Sequence, residues 1–323
     1  MTMLEFYSPG SVEDAVGILA RWSETAMAVA GATDLWVNIK SGKAQPQALV
    51  SLRGIGALRG IAYEGGGTVA GAIDGGASGG AGDGGAGDGG GAVAARGALT
   101  IGAATPHADI EDSAWVAEHF AGLQQACAGL GSRQVRNVGT LGGNICNAAP
   151  CADSATGLML FDASVVLTGP DGVRELPLAD FFIGPGQTRR GPAEILTQIR
   201  VADPGPHTYS GYQKHTRRKG VELAMMSVGV RITLADDGVT VAKARISLGV
   251  CAPTPTCSAD GEAYLEGKPL TRENAVRAAE LAAVESRVRD SWRGKAWYRR
   301  EMIRVLVPRV IEQSGAFAAV EAR

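Results

Sequence analysis

Apolar positions recur with a helical period soon after the amino terminus. Ser11 stands where an N-cap belongs, Asp14 follows three residues on, and Val12, Ala15, Val16, Ile18 and Leu19 form one stripe. Ala26–Ala30 and Ala48–Leu52 are short apolar runs of the buried-strand kind. Between them Thr33 or Asp34 can cap a short helix carrying Leu35, Trp36 and Ile39. Leu99–Ala103 predicts a strand, Thr105 an N-cap with Pro106 at the first helical position, and Phe120–Gly131 a helix. Leu158–Thr168 reads as a strand that Gly169–Gly172 turns into Val173–Leu176 as a hairpin.

The pattern changes near Pro204–His207. Met225–Leu234 and Val239–Val250 are two β runs joined through Asp236, Asp237 and Gly238. Helices are predicted over Thr271–Arg289 and Gly294–Gln313. That order suits a small α+β domain with helices on one face of an antiparallel sheet. The chain therefore divides into residues 1–205 and 206–323.

Composition adds one anomaly. Gly65–Gly91 holds about a third of the 46 glycines and almost no side chains able to fill a core, so it reads as a flexible surface insertion in a loop between two strands. It has neither a strict collagen-like period nor the strand–loop–helix setting of a phosphate loop. The net charge of −2 argues against a general nucleic-acid binder. The apolar runs are far shorter than a membrane span needs, and the first residues lack the basic and apolar regions of a signal peptide. Five cysteines, an odd number in a chain of 323 residues, suit a reducing compartment, and a cytoplasmic location is expected.

Two stretches carry candidate chemistry. In Val29–Leu35 (VAGATDL) small residues leave a strand, Gly31 removes side-chain bulk, and Thr33 and Asp34 open a helix. Such a turn lets backbone N–H groups approach a pyrophosphate, although an ordinary strand–turn–helix reads the same way. In Thr140-Leu141-Gly142-Gly143-Asn144 two adjacent glycines permit close approach of a ligand, with a hydroxyl, an amide and, further on, Asp153 nearby.

The stretches VAGATDLWVNIK, LTIGAATPHADIE, QVRNVGTLGGNICNAAPCADS, EILTQIRV, YQKHTRRKGVELAMMSVGVRI, ARISLGV and GKAWYRREMIRVLVPRV occur in that order. Together they resemble the FAD-binding (medium) subunit of the xanthine dehydrogenase and carbon monoxide dehydrogenase family of molybdenum hydroxylases, over about residues 3–313. The resemblance implies a two-part FAD-binding domain of the vanillyl-alcohol-oxidase/peptidoglycan-reductase type, then a small α+β C-terminal domain. It makes Val29, Ala30, Gly31, Ala32, Thr33, Asp34 and Leu35 the first diphosphate-binding turn. Gly139, Thr140, Gly142, Gly143 and Asn144 become the second, with Cys146 in the flavin loop and Asp153 at the ribose. Ile195 and Leu196 match positions near the flavin ring, and Lys214 a lysine near the flavin, where a solvated lysine in a basic loop is the competing reading.

The same resemblance implies partners: a large subunit holding a molybdopterin-type molybdenum cofactor and a small subunit with two [2Fe–2S] clusters, as a dimer of heterotrimers. Electrons would leave through FAD to an acceptor such as NAD. No residue of this chain is expected to act as a general acid or base. Cys146 and Cys151 form a C-x4-C pair, short of the four ligands that a cluster or structural zinc needs, so no metal site is expected. His107 reads as structural, and the arginine-rich C-terminal helix as a solvated or interfacial face. A self-sufficient FAD-dependent oxidase with its own small-molecule substrate is the alternative function.

Overall fold

The computed structural model describes residues 4–64, 97–218 and 220–322; the Gly-rich segment 65–91 lies outside the described residues. The amino-terminal strands β1 (Glu5–Tyr7), β2 (Ala26–Val29) and β3 (Ala48–Ser51) form a parallel sheet in the order β1-β3-β2. Parallel neighbours need a crossover, and the helix Val12–Trp22 supplies it. Ser11 Oγ accepts the Asp14 N–H at 3.1 Å, and Ala15, Val16 and Leu19 pack against Ala48 and Val50.

The second sheet contains β4 (Ile61–Glu64), β5 (Ala98–Gly102), β6 (Ser164–Gly169) and β7 (Gly172–Pro177). After a short hairpin, β8 (Phe182–Gly184) with β9 (Gln187–Thr188), β10 (Ile195–Ala202) returns to its centre. The order is β4-β5-β10-β6-β7, antiparallel throughout. Between β5 and β6 the chain makes short helices, including His107–Glu111, Ala121–Ala128, Arg133–Val138, Leu141–Asn147 and Asp153–Met159. Leu123, Leu141, Ile145 and Leu158 from these helices join Ile101, Val165 and Ile199 in one core.

The third sheet runs β11 (Thr208–His215), β12 (Met226–Leu234), β13 (Val241–Gly249), β14 (Thr256–Cys257) in antiparallel order. The pleat sends alternate β12 side chains to opposite faces. Val228, Val230 and Ile232 face the helices Arg272–Glu285 and Ala296–Gln313. The opposite face is small or polar and meets the first half of the chain. A methyl on Gly229 would overlap Ser247 Oγ and lie 3.0 Å from Leu160, Ser247 Oγ donates to the Thr156 carbonyl at 2.8 Å, and Arg231 and Arg245 both pair with Asp162. The architecture is α+β, with the third sheet held between its own helices and those of the first half.

Four local expectations need correction. Leu158–Thr168 is not one strand: its first two residues end the helix Asp153–Met159, and β6 begins at Ser164. That helix is buried on every side, so its apolar run carries no period to separate it from a strand. Thr105 does not cap the next helix. Its hydroxyl accepts the Gly60 N–H at 2.9 Å and donates to the Gly60 carbonyl at 3.0 Å, leaving Pro106 at the cap position. Neither Thr33 nor Asp34 makes a side-chain cap on the helix Leu35–Lys40. Arg299 also leaves the solvated face: it is 2% exposed, donating to the Arg289 carbonyl and Ser291 Oγ.

Candidate cofactor site

The turn after β2 and the turn before the helix Leu141–Asn147 meet. Gly31 lies against Val138 and Gly139 so closely that a methyl group there would overlap the Val138 carbonyl oxygen and come within 2.8 Å of the Gly139 Cα. Ala32 adopts φ 58°, turning the chain from the strand into its helix. Among the described residues, the N–H groups of Ala30, Gly31, Ala32, Thr33 and Asp34 make no hydrogen bond. The residues of this run are half-buried or exposed, so their amides are open to solvent or to a ligand.

The second turn is built differently. Ser132 Oγ caps the helix Arg133–Val138, and Thr140 Oγ1 caps the next by accepting the Gly143 N–H at 3.1 Å. The Leu141 and Gly142 amides donate to the Thr105 and Ala103 carbonyls, and the Gly139 carbonyl accepts the His107 N–H. Arg136 holds this segment from behind, donating to both Glu111 oxygens at 2.7 and 3.0 Å. Apart from the Thr140 N–H, the backbone donors here are spent on the scaffold, so this turn offers a ligand mainly space and side chains.

Both turns line a cavity of about 880 Å3, within the range of roughly 300–1,000 Å3 typical of cofactor sites. Val29, Ala30, Gly31, Ala32, Thr33, Asp34, Leu35, Gly139, Thr140, Gly143, Asn144, Cys146, Asp153 and Lys214 all contribute to its wall. Three candidate residues do not. Gly142 is buried, and a methyl there would meet the Ala103 carbonyl oxygen at 2.7 Å, so its smallness serves packing. Ile195 sits in the amino-terminal core and Leu196 in the central one, since β10 is covered on both faces.

Asp153 and Lys214 form a buried ion pair in the wall. Lys214 Nζ donates to Asp153 Oδ2 at 2.7 Å and to the Gly129 carbonyl at 3.1 Å, and the Tyr212 hydroxyl donates to Asp153 Oδ1 at 2.6 Å. Burial pushes the Asp153 carboxyl above its ordinary value, against the pull of Lys214 and Tyr212. Burial likewise raises the Cys146 and Cys151 thiols. Asn144 Oδ1 accepts the Ser154 hydroxyl at 2.7 Å, which orients its amide group.

A family model described as the FAD binding domain in molybdopterin dehydrogenase matches residues 2–74 and 91–204. One described as the CO dehydrogenase flavoprotein C-terminal domain matches residues 211–314. The chain belongs to the family of FAD-binding medium subunits of molybdenum hydroxylases. The carbon monoxide dehydrogenase medium chain of Hydrogenophaga pseudoflava is 30% identical over 315 residues, 98% of each chain. A xanthine dehydrogenase FAD-binding subunit of Escherichia coli is 26% identical over 314 residues, 97% of this chain and 96% of that one. A solved carbon monoxide dehydrogenase from Hydrogenophaga pseudoflava, lacking the Mo-pyranopterin moiety of its molybdenum cofactor, aligns with TM-score 0.82 and 29% identity over 97% of this chain and 98% of that chain.

The residues present fit the family's cofactor. A diphosphate needs donors without side-chain bulk, and the five unpaired amides beside Gly31 and Gly139 provide them. Sequence reasoning missed several wall residues, among them Asn38, Arg190 and His107. Arg190 is held there by donating to the Gly191 and Glu194 carbonyls. His107 is 1% exposed, and burial with Arg136 nearby lowers its pKa to about 4, which keeps the ring neutral. Ile183, Val221 and Leu223 add exposed apolar surface to the wall. Asn38, His107, Val221 and Leu223 lie inside the family-like stretches, but no side-chain pattern there marks them as wall residues. Among the described residues no helix is long and apolar enough to cross a membrane.

Proposed function

We propose that this chain is the flavoprotein subunit of a cytoplasmic molybdenum hydroxylase that passes electrons from [2Fe–2S] clusters of a small partner subunit through FAD to an external acceptor such as NAD. A large subunit with a molybdopterin-type molybdenum cofactor would oxidise the substrate, in a dimer of heterotrimers. Residues 1–205 would form the FAD-binding part and 206–323 the C-terminal part. Bound FAD takes up single electrons and releases two together, which suits a place between one-electron centres and a hydride acceptor.

The residues of this chain bind, orient and exclude water. The free amides of Ala30 to Asp34 would hold the diphosphate oxygens, while the absence of a Cβ at Gly31 and Gly139 lets the two turns close on each other beside them. Thr33, Thr140, Gly143, Asn144, Val29 and Leu35 would shape that grip. Cys146, Asp153 and Lys214 would form the wall towards the rest of the dinucleotide. The observation that carries this reading is the run of unpaired amides pressed against the second glycine turn inside one cavity. The test is purification of the native protein with its companions. Flavin, molybdenum and iron in one complex with two further polypeptides is the expected result. A chain that purifies alone and gains no flavin absorbance on addition of FAD overturns the reading.

A further inference from the structure

We propose that Tyr212 is a positioning residue for the redox chemistry of this cavity: it keeps Asp153 in place as the counter-ion of Lys214, and the compensated ammonium so held sets the reduction potential of a flavin bound there. The inference rests on reading the cavity as the FAD site, and goes beyond it by giving the ion pair an electrostatic task.

The geometry leaves little freedom. The side chains of Lys214 and Asp153 are 12% and 5% exposed, and Tyr212 is 7% exposed. Tyr212 is fixed at both ends: its N–H donates to Gln125 Oε1 at 2.8 Å and its hydroxyl to Asp153 Oδ1. Oδ2 is thereby left facing Lys214. An ammonium has three donors, and Asp153 and Gly129 take two of them. Lys214 lines the cavity, so the third is the one available to a ligand.

Charge does the rest. The trio is neutral overall, and both its carboxylate and its ammonium line the cavity. Adding electrons to a flavin adds negative charge, which a bare cation beside it favours and a compensated one favours less. Burial works to protonate Asp153, and the Tyr212 hydroxyl opposes it by donating to the ionised form. Cys127, on the helix Ala121–Ala128, and Cys151, just before Asp153, are the other titratable groups that feel this carboxylate, and burial holds both as neutral thiols.

The test uses the full chain loaded with FAD. Flavin content is measured first, then the midpoint potential by spectroelectrochemical titration from neutral to mildly acidic pH. Asp153→Asn is expected to shift the potential positive at every pH. Tyr212→Phe is expected to track the wild type at neutral pH and to climb towards the Asp153→Asn value as the pH falls and Asp153 takes up a proton. Lys214→Met is expected to shift it negative, and Asp153→Asn in that background to move it no further. A structural role alone would not reverse sign between Asp153 and Lys214. Should Asp153→Asn fail to fold, Tyr212→Phe, which removes one oxygen, decides. Variants that hold FAD at wild-type potential across the pH range overturn the inference and leave the FAD site standing. A wild-type chain that takes up no FAD overturns the site itself.

Discussion

Gly31 and Val138 touch backbone to backbone, across more than a hundred residues of sequence, with no room for even one methyl group between them. The Val138 carbonyl cannot move aside, because its helix is capped by Ser132 and tied to Glu111 through Arg136. Gly31→Ala is therefore expected to cost about 1–3 kcal/mol, the usual penalty of overpacking, and to lower FAD uptake as the two turns are forced apart. Thermal unfolding with and without FAD checks both effects.

Gly143 offers the contrasting substitution. It is exposed in the cavity, and a Cβ there would meet only Thr140 Oγ1 within 4 Å. Gly143→Val should leave the apo fold within about 1 kcal/mol of wild type, the scale of a disturbed N-cap, while FAD retention is lost. Flavin titration beside a urea melt separates the two, and a variant with full flavin content would refute the placement of Gly143 at the cofactor.

The contact between the two halves can be weakened at one carboxylate. Asp162 pairs with Arg231 and Arg245, and Arg231 is 7% exposed in its side chain. Asp162→Ala leaves that guanidinium without its carboxylate. The expected loss is about 1–3 kcal/mol, less than for a fully buried pair because Asp162 is half exposed. A lower urea midpoint is the readout; an unchanged midpoint would show that the pairs add nothing.

Acid should act through His107. Its pKa is lowered from the ordinary 6.5 to about 4, so the unfolded chain binds the extra proton between those values. Stability conferred by the neutral ring is complete above about pH 6.5 and falls away as the pH drops towards 4, by about 3 kcal/mol in all. His107→Gln is expected to flatten that part of the stability–pH curve, and equal slopes in the two proteins would rule the effect out.

Much of the scaffold was visible in local patterns. Ser11 caps the first helix as its spacing suggests, and the β12–β13 hairpin forms around Gly238. The glycine turns were visible as well, and at Gly31 the reason is a close approach of backbone to backbone that leaves no room for a side chain. Long-range pairing was not. The Thr105 hydroxyl is claimed by Gly60, 45 residues away, and Asp153 by Tyr212 and Lys214, 59 and 61 residues on. Neither partnership leaves a spacing to read. Gly142 and Gly143 show the limit most clearly: adjacent and identical, one is packed against Ala103 and the other borders the cavity beside Thr140 Oγ1.

The strand β11 delivers Tyr212 and Lys214 to a cavity whose glycine turns were completed some seventy residues earlier. A nascent chain thus carries both glycine turns well before the lysine beside them has been translated. A polypeptide truncated ahead of that later stretch would lack the strand that closes one side of the cavity, so full-length synthesis is what completes its wall.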